Sequence, residues 1–161
     1  ELLNDTVAGV RTSACHALVE LFDPEDRAFC RSICEGLLEL LQDVAVEARS
    51  ASKEALGRIA AVSEELREEA LTGIWKNMVH ENKAVRRSAL EALPKLVEVG
   101  DDSIIKGIVL GLRDSYTETQ KKAITMIKSN LPDAKDRGDA VLDLKAALIE
   151  ACDSEEALVR A

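Results

Sequence analysis

The sequence predicts an all-α fold of antiparallel helix pairs stacked in a row, on three observations. The first is a pattern that returns four times, 34 to 38 residues apart: Val10-Arg11-x-x-Ala14-x-x-Ala17-Leu18, Ala48-Arg49-x-x-Ser52-x-x-Ala55-Leu56, Val85-Arg86-x-x-Ala89-x-x-Ala92-Leu93 and, degraded, Thr119-Gln120-x-x-Ala123-x-x-Met126-Ile127. A unit of that period buries its apolar face only by stacking on its neighbours, which makes an α-solenoid. The second is composition: the 161 residues are 47% hydrophobic, with only four aromatic side chains and three prolines. Ala, Leu, Glu, Lys and Arg lose little side-chain freedom in a helix, whereas sheets draw on aromatic and β-branched residues. The third is apolar spacing suited to one helical face, as in Phe29, Ile33, Leu37, Leu40 and Leu41.

Each repeat reads as a helix A, a short turn and a helix B. The B helices are expected at roughly 6–22, 44–62, 83–99 and 116–131, and the A helices at roughly 24–42, 64–80, 101–113 and 138–152. Asp23-Pro24-Glu25 opens the A helix at 24, with Asp23 as N-cap and Pro24 at the first helical position, where its missing N–H is not needed. The next A helix carries Leu66, Ala70, Leu71, Ile74, Trp75 and Met78 on its inward stripe, while Ala14, Ala17, Ala55, Ala89 and Ala92 keep the B helices small where they approach each other. Pro94 lies inside the third B helix, cannot donate to the Leu90 carbonyl and is expected to kink it. Glu1-Leu2-Leu3-Asn4-Asp5 matches the ends of later A helices, and Val159-Arg160-Ala161 opens a fifth copy of the signature. Residues 1–161 are therefore expected to be one array of about four helix pairs, a stretch of a longer one.

The Asp-x5-Arg spacing followed by Ala-x-x-Ala-Leu resembles the HEAT-repeat family, with Asp5/Arg11 and Asp43/Arg49 fitting fully. The resemblance implies a right-handed superhelix with the B helices on its concave side. It also implies a ladder between successive repeats made by Asp5, Asp43, Arg11, Arg49 and Arg86. In the third repeat Glu81-Asn82 occupies the turn in place of the aspartate, and the fourth has Asp114 but Gln120 instead of arginine. The family serves many processes, so the resemblance implies a fold and leaves function to the site.

Charge and motifs narrow the function classes. With 21 basic against 30 acidic residues the net charge is −9, which argues against a nucleic-acid or anionic-membrane partner. No apolar run is long enough to span a membrane, and no basic segment precedes an apolar one in the manner of a secretory signal. Cys15, Cys30 and Cys34 could offer metal ligands with His16, but structural zinc sites use tighter paired spacings, and the four cysteines read as free thiols of an intracellular protein. His80-Glu81 resembles one pair of the kind that holds iron in HEAT-like hydroxylases. A di-iron centre needs several such pairs and the chain has two histidines, so His80 reads instead as a helix C-terminal residue. No phosphate loop or nucleophile–base motif is present. No catalytic residue, metal or cofactor is expected.

What remains is a surface. At 100° per residue, the positions one, five and eight after each signature arginine point away from the core. The expected partner face comprises Thr12, His16, Ser50, Glu54, Arg87, Glu91, Lys121, Lys122, Thr125 and Lys128. It grades toward positive charge: residues 1–80 hold 15 acids and 8 bases, residues 81–161 hold 15 and 13. The expected function is a non-catalytic scaffold for protein partners, with an acidic or phosphorylated segment docking at the Lys121–Lys128 end. The alternatives are a nuclear transport receptor segment that binds basic cargo and a metal-dependent hydroxylase.

Overall fold

A computed structural model describes residues 2–99, 101–131 and 138–152. Among them are eight α-helices and no strand: α1 (Ala8–Glu20), α2 (Arg27–Leu40), α3 (Val46–Ala60), α4 (Glu64–Met78), α5 (Lys83–Leu96), α6 (Asp102–Leu112), α7 (Thr117–Asn130) and α8 (Gly138–Cys152), preceded by a 3₁₀ turn at Leu2–Asn4. Each expected helix is present, with ends displaced by a few residues. The largest shifts, three residues each, are at the start of α2 and the end of α5. Asp23 accepts the N–H of Glu25 at 3.0 Å and closes a local turn around Pro24, and Asp26 then caps the helix by accepting from Phe29 N at 3.0 Å. The cap is therefore Asp26, and Pro24 precedes the helix instead of opening it. In α5 the chain stays helical for two residues past Pro94 and leaves at Val97, whose backbone is extended (φ −131, ψ 159), short of the expected residue 99.

Packing follows the alternation of the repeat. Helices α1, α3, α5 and α7 each lie against the next member of that row, α2 packs on α4 and α6 on α8, and α2 with α3, α4 with α5 and α6 with α7 join the rows. This packing of adjacent helices is compatible with a helical repeat. The seam is filled by Leu37, Leu41, Leu56, Ile59, Ile74, Leu90, Leu93, Ile104, Ile108 and Leu112, all fully buried. Each such side chain contributes about 1.5–3 kcal/mol of transfer free energy, which ties neighbouring pairs together. Ser52 stands where the other signatures have alanine, and it is tolerated because its hydroxyl donates to the Leu37 carbonyl. Asn77 is likewise satisfied by Leu38 O at 3.3 Å.

Two residues expected in the core are not there. Phe29 is 39% exposed and Ala17 is exposed; they border an open apolar groove with Leu2, Leu18 and Leu21 at the first helix pair. Helices α1 and α2 have described helices against them on one side only, and on the other side the 3₁₀ turn at Leu2–Asn4 covers part of α2. Leu71 and Trp75 are half-buried, and the Trp75 ring carries the Lys106 ammonium 5.3 Å from its centroid.

Candidate functional site

The turns between A and B helices hold the most structured polar chemistry in the chain. In the first, Asp5 Oδ1 accepts Val7 N–H at 2.8 Å; in the second, Asp43 Oδ1 accepts Ala45 N–H at 2.8 Å; in the fourth, Asp114 Oδ1 accepts Tyr116 N–H at 2.8 Å. Each carboxylate thus fixes the entry into the following helix by satisfying a donor near its start. Six residues after Asp5 and Asp43 comes the signature arginine, and six after Asp114 comes Gln120. Arg11 Nη1 donates to Asp5 O at 2.6 Å, and Arg49 Nη1 donates to Asp43 O at 2.6 Å and Val44 O at 3.0 Å.

The other edge of the guanidinium reaches forward to the next turn. Arg11 Nε and Nη2 grip the Asp43 carboxylate at 2.5 and 2.7 Å, and Arg86 Nε and Nη2 grip Asp114 at 2.7 and 2.9 Å. These are parallel two-point bonds, the strongest geometry open to an arginine–carboxylate pair. The carboxylates are 7% and 6% exposed, so the pairs are shielded from salt far better than surface ion pairs. Asp5 and Gln120 make no such forward bond among the described residues.

The third turn departs from the expected reading. Arg86 Nη1 donates to His80 O and Glu81 O, both at 2.9 Å, which places His80 where Asp5 and Asp43 stand in their turns. The imidazole even copies the aspartate's local bond, since Nδ1 accepts Asn82 N–H at 3.0 Å. His80 lies just beyond the C-cap Val79 of α4, where its N–H donates to Asn77 O at 3.2 Å, and its imidazole serves the turn that follows. The uniform six-residue spacing to the arginine carries this equivalence, and reading Glu81-Asn82 as the substitute misses it. As a consequence Arg49 meets no carboxylate edge-on among the described residues: its bonds there are the two to its own turn.

The Arg11 hydrogen bond holds the Asp43 carboxyl below its ordinary value of 3.8, helped by Ala45 N–H and the charges of Arg11 and Arg49, against the opposing pull of burial. A depressed folded-state pKa contributes stability that is present above the unfolded value and lost as pH falls through the folded one. Asp43→Asn is therefore expected to be less stable than the parent at neutral pH, with the gap closing below about pH 4. Urea midpoints measured from pH 7 down to about pH 2.5 check this; a gap independent of pH would show that the charge of Asp43 contributes nothing.

Along α1, α3, α5 and α7 the anticipated partner face is unequally available. His16, Ser50, Glu54, Thr125 and Lys128 are exposed, whereas Thr12, Arg87, Glu91, Lys121 and Lys122 are half-buried. Thr12 and Thr125 bond back to Ala8 O (2.9 Å) and Lys121 O (3.0 Å), their own helix carbonyls. Glu54 is paired with Lys95 at 2.7 Å and Lys121 with Glu118 at 3.2 Å. Glu91 receives Lys53 at 2.6 Å and Arg87 at 3.1 Å, with Lys122 at 4.0 Å. Burial pushes the Glu91 carboxyl up, but the hydrogen bond and charge of Lys53, with Lys122 and Arg87, outweigh it and leave the group below its usual range. The acids on this face are thus engaged within the protein. Lys53, outside the anticipated set, is central to that engagement.

The Cys15, Cys30 and Cys34 thiols are poor nucleophiles and poor ligands. Burial pushes Cys15 up to about 11 and Cys34 up to about 12, and it raises Cys30, whose Sγ–H donates to Asp23 O at 3.1 Å. Among the described residues no three His, Cys, Asp or Glu side chains converge as a metal site would require, and no helix is long and apolar enough to cross a membrane.

No family model matches the chain, and no curated protein matches it. Among solved structures it is similar to an engineered protein from the Northeast Structural Genomics Consortium, 21% identical over 99% of this chain and 72% of that one, with a TM-score of 0.51. A second engineered protein from the same consortium is 17% identical over 99% of this chain and 74% of its own, with a TM-score of 0.47. The first likeness is one of fold alone.

Proposed function

We propose that this chain is a length of right-handed α-solenoid of HEAT type, an intracellular, non-catalytic scaffold that holds protein partners along the concave face lined by α1, α3, α5 and α7. The observation that carries the reading is the arginine that bonds its own turn and the next turn's aspartate, made twice with the same atoms by Arg11 and Arg86. A bond repeated between successive pairs fixes their relative placement and so presents one continuous row of B-helix side chains. The raised thiols support a non-catalytic role. Because Glu54 and Glu91 already hold Lys95 and Lys53, the acidic residues offer little to a basic segment, and a nuclear transport receptor binding basic cargo draws no support from this face.

The partner chemistry proposed is an acidic or phosphorylated protein segment, received where Lys121, Lys122 and Lys128 gather on α7 with Thr125. Exposed charges tune association far more than folding. Lys121→Glu combined with Lys128→Glu is expected to weaken binding roughly tenfold or more at low salt while the melting temperature hardly moves. Affinity purification with the tagged parent supplies the partner, and titration calorimetry of that partner against parent and double variant gives the measurement. Equal affinity would move docking to the A-helix face or the turns and end this assignment.

A further inference from the structure

The forward edge of Arg49 stands apart from its two counterparts. In Arg11 and Arg86 the Nε–Nη2 edge holds a carboxylate from the next turn while Nη1 binds the arginine's own turn. Arg49 keeps the second half of that arrangement, through Asp43 O and Val44 O, but its Nε–Nη2 edge has no acceptor among the described residues. The residue that should supply one is His80, and the Nδ1 of its imidazole is taken by Asn82 N–H. Beside Arg49, between α3 and α5, lies a cavity of about 320 Å³ lined by Arg49, Lys53, Arg87, Glu91 and Tyr116, among others. Three cations and one carboxylate face it, and Lys122 adds a fourth positive charge 4.0 Å from that carboxylate.

We propose that Arg49 is a receptor for a side-chain carboxylate: an aspartate or glutamate of an extended acidic partner segment enters the cavity between α3 and α5 and accepts the two hydrogen bonds that Asp43 and Asp114 accept at the neighbouring joints. The inference rests on the reading of the B-helix face as a docking surface and names one group that it takes. The same arginine edge binds a carboxylate twice within the chain, at Arg11 and at Arg86. Arg49 is half-buried and anchored through Nη1, so much of its desolvation and ordering has been met in folding. The surplus of positive charge draws an anion in, and Glu91, occupied by Lys53 and Arg87, does not swing to satisfy Arg49.

The test uses the ¹⁵N-labelled chain and an acetylated, amidated tetraglutamate peptide as probe, read by the Arg49 Nε–H cross-peak and the amides of Val46, Ala84 and Tyr116. A saturable shift of these signals at low salt is the expected result. His80→Asp replaces the imidazole with a carboxylate at the turn position that Asp43 and Asp114 hold in their own turns. It should abolish the Arg49 shift while holding or raising the melting temperature, so lost binding is not confused with lost folding. Lys121→Glu with Lys128→Glu should leave the Arg49 shift in place while removing any response of the Lys121–Lys128 amides, which separates this site from the far end of the face. A tetraglutamine peptide with a free C-terminus tells a terminal carboxylate from a side-chain one and should leave Arg49 unmoved. The proposal is overturned if tetraglutamate gives no saturable Arg49 shift, if the shift survives in His80→Asp, or if the tetraglutamine carboxyl terminus reproduces it.

Discussion

Arg86→Ala is expected to cost about 3 kcal/mol of folding stability, near the lower bound for breaking a buried ion pair because Arg86 keeps partial access to water. The loss has two parts. The Asp114 carboxylate, 6% exposed, would keep Tyr116 N–H but lose both charged donors, and the carbonyls of His80 and Glu81 would lose theirs. Arg49→Ala should cost about 1 kcal/mol, since it gives up hydrogen bonds to two carbonyls and strands no carboxylate. Gln120→Ala should cost least. Urea denaturation at pH 7 resolves the order, and equal midpoints for Arg86→Ala and Arg49→Ala would mean that the forward bond to Asp114 adds nothing to stability.

Gly57→Ala should also be destabilising, against the trend of helix propensity. A Cβ at residue 57 would sit 2.8 Å from the carbonyl oxygen of Lys95 and 3.0 Å from its Cβ, so α3 and α5 would have to separate. The obstacle is backbone near the end of a helix and does not rotate away. Overpacking of this kind costs roughly 1–3 kcal/mol, which exceeds the gain of up to about 1 kcal/mol that alanine brings to a helix interior. Gly9→Ala is the matched control: nothing lies within 4 Å of its would-be Cβ, so a gain of up to about 0.5–1 kcal/mol is expected. If thermal unfolding finds both variants stabilised, the close approach of α3 to α5 is wrong.

The helices are legible in the sequence because each carries enough apolar residues at helical spacing to leave one face unambiguous, as Ile33, Leu37 and Leu40 do in α2. Helix ends are less so. Asp23 and Asp26 are both competent caps, and the choice falls to Asp26 because Asp23 is used up by the Glu25 amide in the turn before it. Phe29 and Ala17 fit their apolar stripes, yet periodicity describes one helix at a time and is blind to whether a neighbour arrives to cover it. The surface was least legible. Outward direction follows from helical phase, but the pairing of Lys53 with Glu91 joins residues 38 apart, one repeat period, through long side chains reaching across a joint, and the phase of a single helix does not reveal it. The same holds for His80: its role follows from which carbonyl Arg86 reaches, a fact of three dimensions anticipated in the sequence only by the count of six.

The Asp43 carboxylate is bonded at once by Arg11 from the preceding pair and by the amide of Ala45 at the start of α3. The first turn of α3 is thus templated by a residue that α1 holds in place, and Asp114 does the same for α7 through α5. Helix starts are the costly step of helix formation, so each of these joints passes the cost of initiation to the pair before it, and melting spreads across them readily in either direction. At His80 the relay stops: the entry to α5 is set by an imidazole to which Arg49 makes no hydrogen bond among the described residues. Cooperativity therefore has a seam between α3 and α5, where the two halves are linked by apolar packing and the Lys53–Glu91 and Lys95–Glu54 pairs without a shared initiation signal.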